Sequence, residues 1–349
     1  MASASLNIDL DALVANWTAL DARSGAGTRT AAVVKADSYG LGAARVAQTL
    51  YAAGARTFFV AVAEEGAKIR PYLAPDAQIF VLSGHMAGDF ETLRDANLTP
   101  VLNSLDQITR QFETLPDAPF GVQLDTGMNR LGLEAEDWAQ AAPALLAKDP
   151  ALIMSHLACA DEPDHAMNAQ QLAEFHRMSD GTGVARSLSA TGGILLGPDY
   201  HFDLTRPGIG LYGGRPFEAA LPVATLSLPV IQTREVQPGE TVGYGNLWQA
   251  ERVTRIATVA AGYADGIHRV LSNISDLWAG DSPCPVRGRV SMDLITADVT
   301  DLDEVPDTLD LICAAQGIDA LADIAGTIGY EILTALGPRY TRFYTERGT

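Results

Sequence analysis

The 349-residue chain is 47% hydrophobic and 19% charged, a balance that suits one large or two ordinary globular domains and excludes a disordered polypeptide. Its net charge of -19, spread along the sequence, excludes an electrostatic grip on nucleic acid or an anionic membrane, leaving a small molecule or another protein as the expected partner. Cys159, Cys284 and Cys313 are too scattered for a disulfide framework or zinc site, no segment has the length of a membrane span, and "MASASLNIDLDAL" lacks a leader pattern, so a cytoplasmic protein without metal is expected.

Taken in chain order, "AAVVKA" predicts a strand and "AARVAQTLYAAG" a helix, followed by the strand "TFFVAV" and the helix "EEGAKIRPYL". The strands "QIFVLSG" and "LTPVLN" precede the helix "LDQITRQFETL"; "FGVQLDTG" precedes "EDWAQAAPALLA"; "ALIMSHLAC" precedes "NAQQLAEFHRMSD"; "ARSLSA" and "RPGIGLYG" complete the series. Eight buried runs alternating with helices predict an α/β fold, an eight-stranded (β/α)8 barrel of the TIM type. Beyond "GLYGGRPFEAALP" the pattern changes to period two between Pro, Gly and Asp turns, as in "TLSLPVIQTREVQPGETVGYG" and "CPVRGRVSMDLITADV". That predicts a mainly antiparallel β domain, capped by one short helix in "ALADIAGTIGYEILTAL". The expected boundaries are 1–220 for the barrel and 221–349 for the β domain.

In such barrels the chemistry sits at the C-terminal strand ends, where this sequence places Lys35, Asn103, Asp125, Arg130, His156, Thr191 and Arg206. Lysine is scarce, occurring only at 35, 68 and 148, so solubility is a poor account of Lys35. It reads either as a snorkelling strand-end lysine or as a Schiff-base nucleophile with a desolvated amine. Tyr39 reads as packing or as a phosphate ligand. In "TRPGIGLYG", Gly208 and Gly210 leave amides open to an anion, and Thr191 with Gly192 and Gly193 in "SATGG" adds a hydroxyl and further amides. An arginine such as Arg206 is one of two usual partners for the pyridine nitrogen of pyridoxal phosphate. Arg130 reads as a surface residue or a fork for a carboxylate, and His156 as a core histidine or a site residue. Tyr263, Met292 and Asp293 read singly as turn and core residues.

Together "AVVKADSYGLG", "DTGMNRLG", "SHLACAD", "HFDLTRPGIGLYG", "VGYG", "GYADG" and "GRVSMD" resemble, in order and over nearly the whole chain, the bacterial alanine racemases, fold-type III pyridoxal-phosphate enzymes. The resemblance implies that Lys35 holds pyridoxal phosphate covalently, and that Tyr39, Thr191 and the amides of Gly208 and Ile209 hold its phosphate. It also implies that Arg206 meets the pyridine nitrogen, that His156 lies close to the ring, and that Arg130 contacts the substrate carboxylate. A head-to-tail homodimer is implied, in which Tyr263, Met292 and Asp293 serve the partner's cofactor. Lys35 and Tyr263 would then be the two bases of an L- to D-alanine interconversion, for peptidoglycan supply or alanine catabolism. A broader racemase acting on serine and a non-catalytic pyridoxal-phosphate carrier are the alternatives; Tyr263 and the second domain speak against a carrier.

The sequence departs from the family pattern at four places. "ADSYGLG" stands where "ANAYGHG" is usual, and Thr191 where serine is frequent. Gln123 occupies the position of a carbamylated lysine that orients the arginine at 130 in some members, so a neutral amide is expected to do that. "GYEILTALGPRYTR" lacks the tyrosine that closes the phosphate site in some members, leaving Tyr340 as a possible substitute.

Overall fold

A computed structural model describes residues 4–346. The chain forms two units, one holding residues 14–211 and 215–220, the other the described residues up to Leu13, Tyr212–Gly214, and those from Leu221 onward. This differs from the expected 1–220 division at its N-terminal end, because Ser5–Asp9 is a strand of the second unit.

In the first unit the parallel strands are Ala32–Val33, Thr57–Val60, Gln78–Val81, Thr99–Leu102, Gly121–Gln123, Leu152–Met154 and Arg186–Ser187, each paired with the next. The eighth, Leu204–Thr205, runs parallel to Arg29–Thr30. Backbone bonds close the ring. Asp203 and Arg206 amides donate to Arg186 and Ser189 carbonyls at 3.0 and 2.8 Å, and Ala31 and Val33 amides donate to Thr205 and Pro207 carbonyls at 2.8 and 3.1 Å. The strands Thr57–Val60 and Thr99–Leu102 are buried at every position, as strands covered on both faces must be. Phe59 and Phe80 stack with ring centroids 5.1 Å apart. Outside the ring, Trp138 of the helix Ala135–Leu146 donates its indole N–H to the Met178 carbonyl of the helix Ala166–Ser179 at 2.7 Å. Trp138 and Met178 also share a buried cluster with Val122 and Ile153 of the strands they cover.

The eighth strand is shorter and earlier than "RPGIGLYG" suggests. Pro207 has no N–H to donate, and the glycines let the chain turn, so Ile209–Tyr212 is a 3-10 helix.

The second unit is built on the 13-residue strand Ala224–Val236, which pairs antiparallel with Ser5–Asp9, Thr254–Val259 and Thr308–Ile312. Ser5–Asp9 pairs on its other side, in parallel, with Thr341–Thr345. Alternate buried positions of Ser5–Asp9, Leu6 and Ile8, bury completely. The expected single helix is two, Ile318–Ala325 and Gly329–Ala335, separated at Gly326, whose φ of 71° stops the first.

Candidate active site

After Lys35 the chain makes a turn that L-residues avoid. Ala36, Asp37, Ser38 and Tyr39 all have positive φ, between 52° and 56°, giving a left-handed turn with no glycine. Each such residue costs about 1–2 kcal/mol, so the turn needs outside support. Ser38 and Gly40 amides donate to the Val34 and Ala36 carbonyls at 3.0 and 2.8 Å. The Asp37 carboxylate, without a role in the sequence reading, accepts from the Ala43 amide at 2.7 Å and so caps the helix Ala43–Ala53. Glu65, from the helix Ala63–Ile69, accepts from the Ala36 amide at 2.7 Å. The turn sets Lys35 at one end and Tyr39 at the other.

Burial holds the Lys35 amine below the usual lysine range; the Arg130 guanidinium pushes the same way, and Glu65 opposes both. An amine so placed loses its proton more readily than a surface lysine.

Arg206 is buried, and among the described residues the structure records no carboxylate pairing with it. Its guanidinium donates to Ser187 Oγ, to the Ser155 carbonyl at 2.7 Å and to the Leu188 carbonyl at 3.4 Å. Desolvation brings its pKa down to about 9, which still leaves it cationic at neutral pH. His156 Nδ1 lies 3.4 Å from Arg206 Nη2. Facing a donor, that nitrogen accepts, which leaves the imidazole proton on Nε2. Burial, then the charges of Arg206, Arg130 and Lys35, lower His156 to about 3, so the ring is neutral.

Thr191 opens the helix Thr191–Leu196, and its Oγ1 accepts from the amides of Gly208 and Gly210 at 3.1 and 3.2 Å. The expectation that the Gly208 amide itself faces a phosphate is thus modified, since that amide points to the threonine hydroxyl. With both lone pairs engaged, the hydroxyl hydrogen is what Thr191 has left to offer. Tyr39 is buried, and a Cβ at Gly208 would fall 2.4 Å from its phenol oxygen, so only glycine lets that backbone approach. Gly192 and Gly193 serve packing. A Cβ there would meet Ala160 Cβ at 2.9 Å and Ser189 Oγ at 2.6 Å, so the packing admits only glycine at both positions.

Arg130 is exposed on a loop shaped by Asp125, whose Oδ1 accepts from the amides of Gly127 and Asn129 at 2.8 and 3.2 Å. Gln123 donates to the Leu131 carbonyl at 3.3 Å, holding the loop one residue beyond Arg130. Asn103 is structural, its amide nitrogen bonded to the Leu82 and Val101 carbonyls.

Tyr263, Met292 and Asp293 belong to the other unit. Tyr263 begins the 3-10 turn Tyr263–Asp265, and its amide donates to the Ser291 carbonyl at 3.0 Å, while that of Ala264 donates to the Met292 carbonyl at 3.0 Å. A Cβ at Gly262 would lie 2.2 Å from the Ser291 oxygen, which explains that glycine. Buried Asp265 accepts from the Gly262 amide at 2.9 Å and from Arg339 Nε at 2.6 Å, and Arg339 reaches Asp293 at 2.8 Å. Met292 is 54% exposed and Tyr263 44%, so Met292 is not the core residue its sequence setting suggested. Tyr340 is packed inside this unit, only 4% exposed. Among the described residues no cluster of His, Cys, Asp or Glu could hold a metal ion, the cysteines are free thiols, and no helix is long and apolar enough to cross a membrane.

A closed parallel barrel whose strand ends bear a lysine of lowered pKa, a neutral histidine and a buried arginine defines an enzyme built around an amine. Residues 8–216 match the alanine racemase N-terminal domain and residues 223–344 the alanine racemase C-terminal domain. The chain is 64% identical over 344 residues to the alanine racemase of Dinoroseobacter shibae, with 99% of each chain covered. An alanine racemase of Cereibacter sphaeroides is equally similar, again 64% over 344 residues with 99% of each covered. Among solved structures, the alanine racemase of Bartonella henselae with covalently bound pyridoxal phosphate matches with a TM-score of 0.93 at 37% identity, over 99% of this chain and 100% of that one. The biosynthetic alanine racemase of Pseudomonas aeruginosa matches with 0.91 at 35%, with the same coverage. The chain belongs to the alanine racemase family.

Proposed function

We propose that this protein is an alanine racemase, an isomerase that interconverts L- and D-alanine with pyridoxal phosphate. The observation that carries the reading is Lys35, a partly buried amine at a barrel strand end whose pKa burial and the Arg130 charge lower, and whose own charge, with those of Arg206 and Arg130, acts on His156. The residues present suit the cofactor. The Thr191 hydroxyl and the Tyr39 phenol, beside the glycine backbone at 208, offer donors to a phosphate, and the Lys35 amine suits an aldehyde. Arg206, cationic at neutral pH, suits a pyridine nitrogen and disfavours its protonation.

Pyridoxal phosphate, when bound, delocalises the negative charge that develops at the substrate Cα and so acidifies the Cα–H. Inverting that carbon needs a base on each face. Lys35 Nζ takes or returns the proton on the face that serves D-alanine, and Tyr263 of the partner subunit does so at its phenol oxygen on the face that serves L-alanine. Neutral His156 accepts from cationic Arg206 and keeps its proton on Nε2, so in this reading it orients the phenol oxygen of the partner's Tyr263. Arg130, with its fork of donors, holds the substrate carboxylate.

A head-to-tail homodimer follows from the need for the second base. The exposure of Tyr263 and Met292, on segments bonded to each other, supports a role at another subunit's site. The product D-alanine would feed cell-wall synthesis, or the reverse reaction alanine breakdown.

Incubation with L-alanine, followed by chiral chromatography, should yield equal amounts of both enantiomers; absence of D-alanine from protein that carries pyridoxal phosphate would sink the reading. Tyr263→Phe should retain the cofactor's near-visible absorption and lose turnover of L-alanine.

A further inference from the structure

Among the described residues, Glu65 is the carboxylate whose charge acts on Lys35 against burial and Arg130, and nothing in the mechanism above uses it. Its two oxygens are both engaged, and by backbone rather than by cations. Oε1 accepts from the Ala36 amide and Oε2 from the Ala61 amide, each at 2.7 Å. Ala36 is the first residue of the left-handed turn, and Ala61 directly follows the neighbouring strand Thr57–Val60. The strands beneath are already joined, the Val34 amide donating to the Phe59 carbonyl at 2.9 Å. The carboxylate therefore continues the ladder beyond the point where the backbone can, because a chain that has turned left-handed no longer presents its amide to the next strand.

We propose that Glu65 is the positioning residue for Lys35, a two-pronged carboxylate that fastens the left-handed turn to the adjacent strand end and fixes a negative charge on the amide of the residue next to Lys35. This rests on Lys35 being the reactive amine, though not on alanine being the substrate. Both functions need the full carboxylate. Glutamine keeps one acceptor but offers an N–H to an amide that already donates, and it removes the charge. Aspartate keeps the charge, but its side chain is one carbon too short to reach both amides.

The test reads Lys35 directly. Full-length chain freed of cofactor is acylated with acetic anhydride across a pH series, and modification at Lys35 is quantified by peptide mass spectrometry, with thermal melting as a control. Glu65→Gln should move the midpoint of Lys35 reactivity to lower pH, because a charge that favours the ammonium form has gone, whereas Glu64→Gln, an exposed neighbour in the same helical turn, should leave it in place. Glu65→Asp should, free of cofactor, keep a midpoint close to that of the parent and, once reloaded with pyridoxal phosphate, lose about tenfold in kcat, with KM little changed, as expected for one lost charge-assisted bond. An unmoved midpoint in Glu65→Gln overturns the proposal whatever the melting temperature does, as does an equal shift in Glu64→Gln or full kcat in Glu65→Asp. Should the chain prove inactive on alanine, the labelling result still stands or falls by itself.

Discussion

Gly208→Ala gives the most stringent check on the proposed phosphate cradle. The new Cβ would sit 2.4 Å from the Tyr39 phenol oxygen and 3.3 Å from Cζ, and the first distance is one that real contacts do not tolerate. The ring has little freedom to swing clear, since Tyr39 is 4% exposed and its own φ is 56°. Overpacking of this kind costs about 1–3 kcal/mol. A phenol pushed off a phosphate oxygen forfeits a charge-assisted bond of about 1.5–3 kcal/mol, which weakens cofactor binding about 10- to 100-fold. Fluorescence titration of full-length chain with pyridoxal phosphate measures the second quantity, and urea denaturation of the cofactor-free chain the first. The two residues must also be coupled. In a Tyr39→Phe background the oxygen is gone and only the contact with the ring carbon remains, so Gly208→Ala should weaken binding much less there than alone. Additive effects, or parental affinity in Gly208→Ala, would refute the reasoning.

Three further perturbations follow from the same geometry. Between pH 6.5 and about 3 the unfolded chain binds a proton at His156 that the folded chain refuses, so the stability linked to this ring is present above pH 6.5 and lost as pH falls to about 3; melting temperature should decline less steeply with acid in His156→Gln than in the parent. Ser187→Ala leaves one arm of the buried Arg206 without its acceptor and should cost about 1.5–3 kcal/mol in urea denaturation. Asp265→Ala strips the Gly262 amide and Arg339 of their shared partner, and should lower kcat for alanine more than it raises KM, because the turn carrying Tyr263 loosens while Arg130 is untouched.

The barrel could be read from the chain because its strands are buried on both faces and its helices are not, so the change of period marks nearly every boundary. The eighth strand was misplaced for a related reason: "GIGLYG" is as apolar as a strand, and only Pro207 and the glycines betray the 3-10 turn. Ser5–Asp9 escaped because five alternating residues carry little signal when their partner begins at residue 224. At the site, Lys35 announces itself by scarcity and Arg206 by its loop. The left-handed turn does not, since Ala-Asp-Ser-Tyr lacks the glycine or asparagine that usually marks positive φ. Nor do the serines at 155 and 187, which look like ordinary strand residues until the guanidinium between them is seen, or Glu65, whose partners come from two other segments. What pattern misses in each case is a contact between residues distant in sequence.

The strand Ser5–Asp9 also dictates an order of events. Synthesised before both of its partners, it has hydrogen-bonding partners on one side only after residues 224–236 exist, and on the other only after 341–345. Residues 14–211 hold their strand pairings among themselves, so the barrel can form during synthesis while this early segment waits with two open edges, the exposure that invites mispairing between chains. Five residues, with asparagine, serine and aspartate facing outward in alternation, make a short and polar edge, which limits that risk. A chain ending before residue 341 would leave one of those edges open for good, and its failure would first be seen as aggregation.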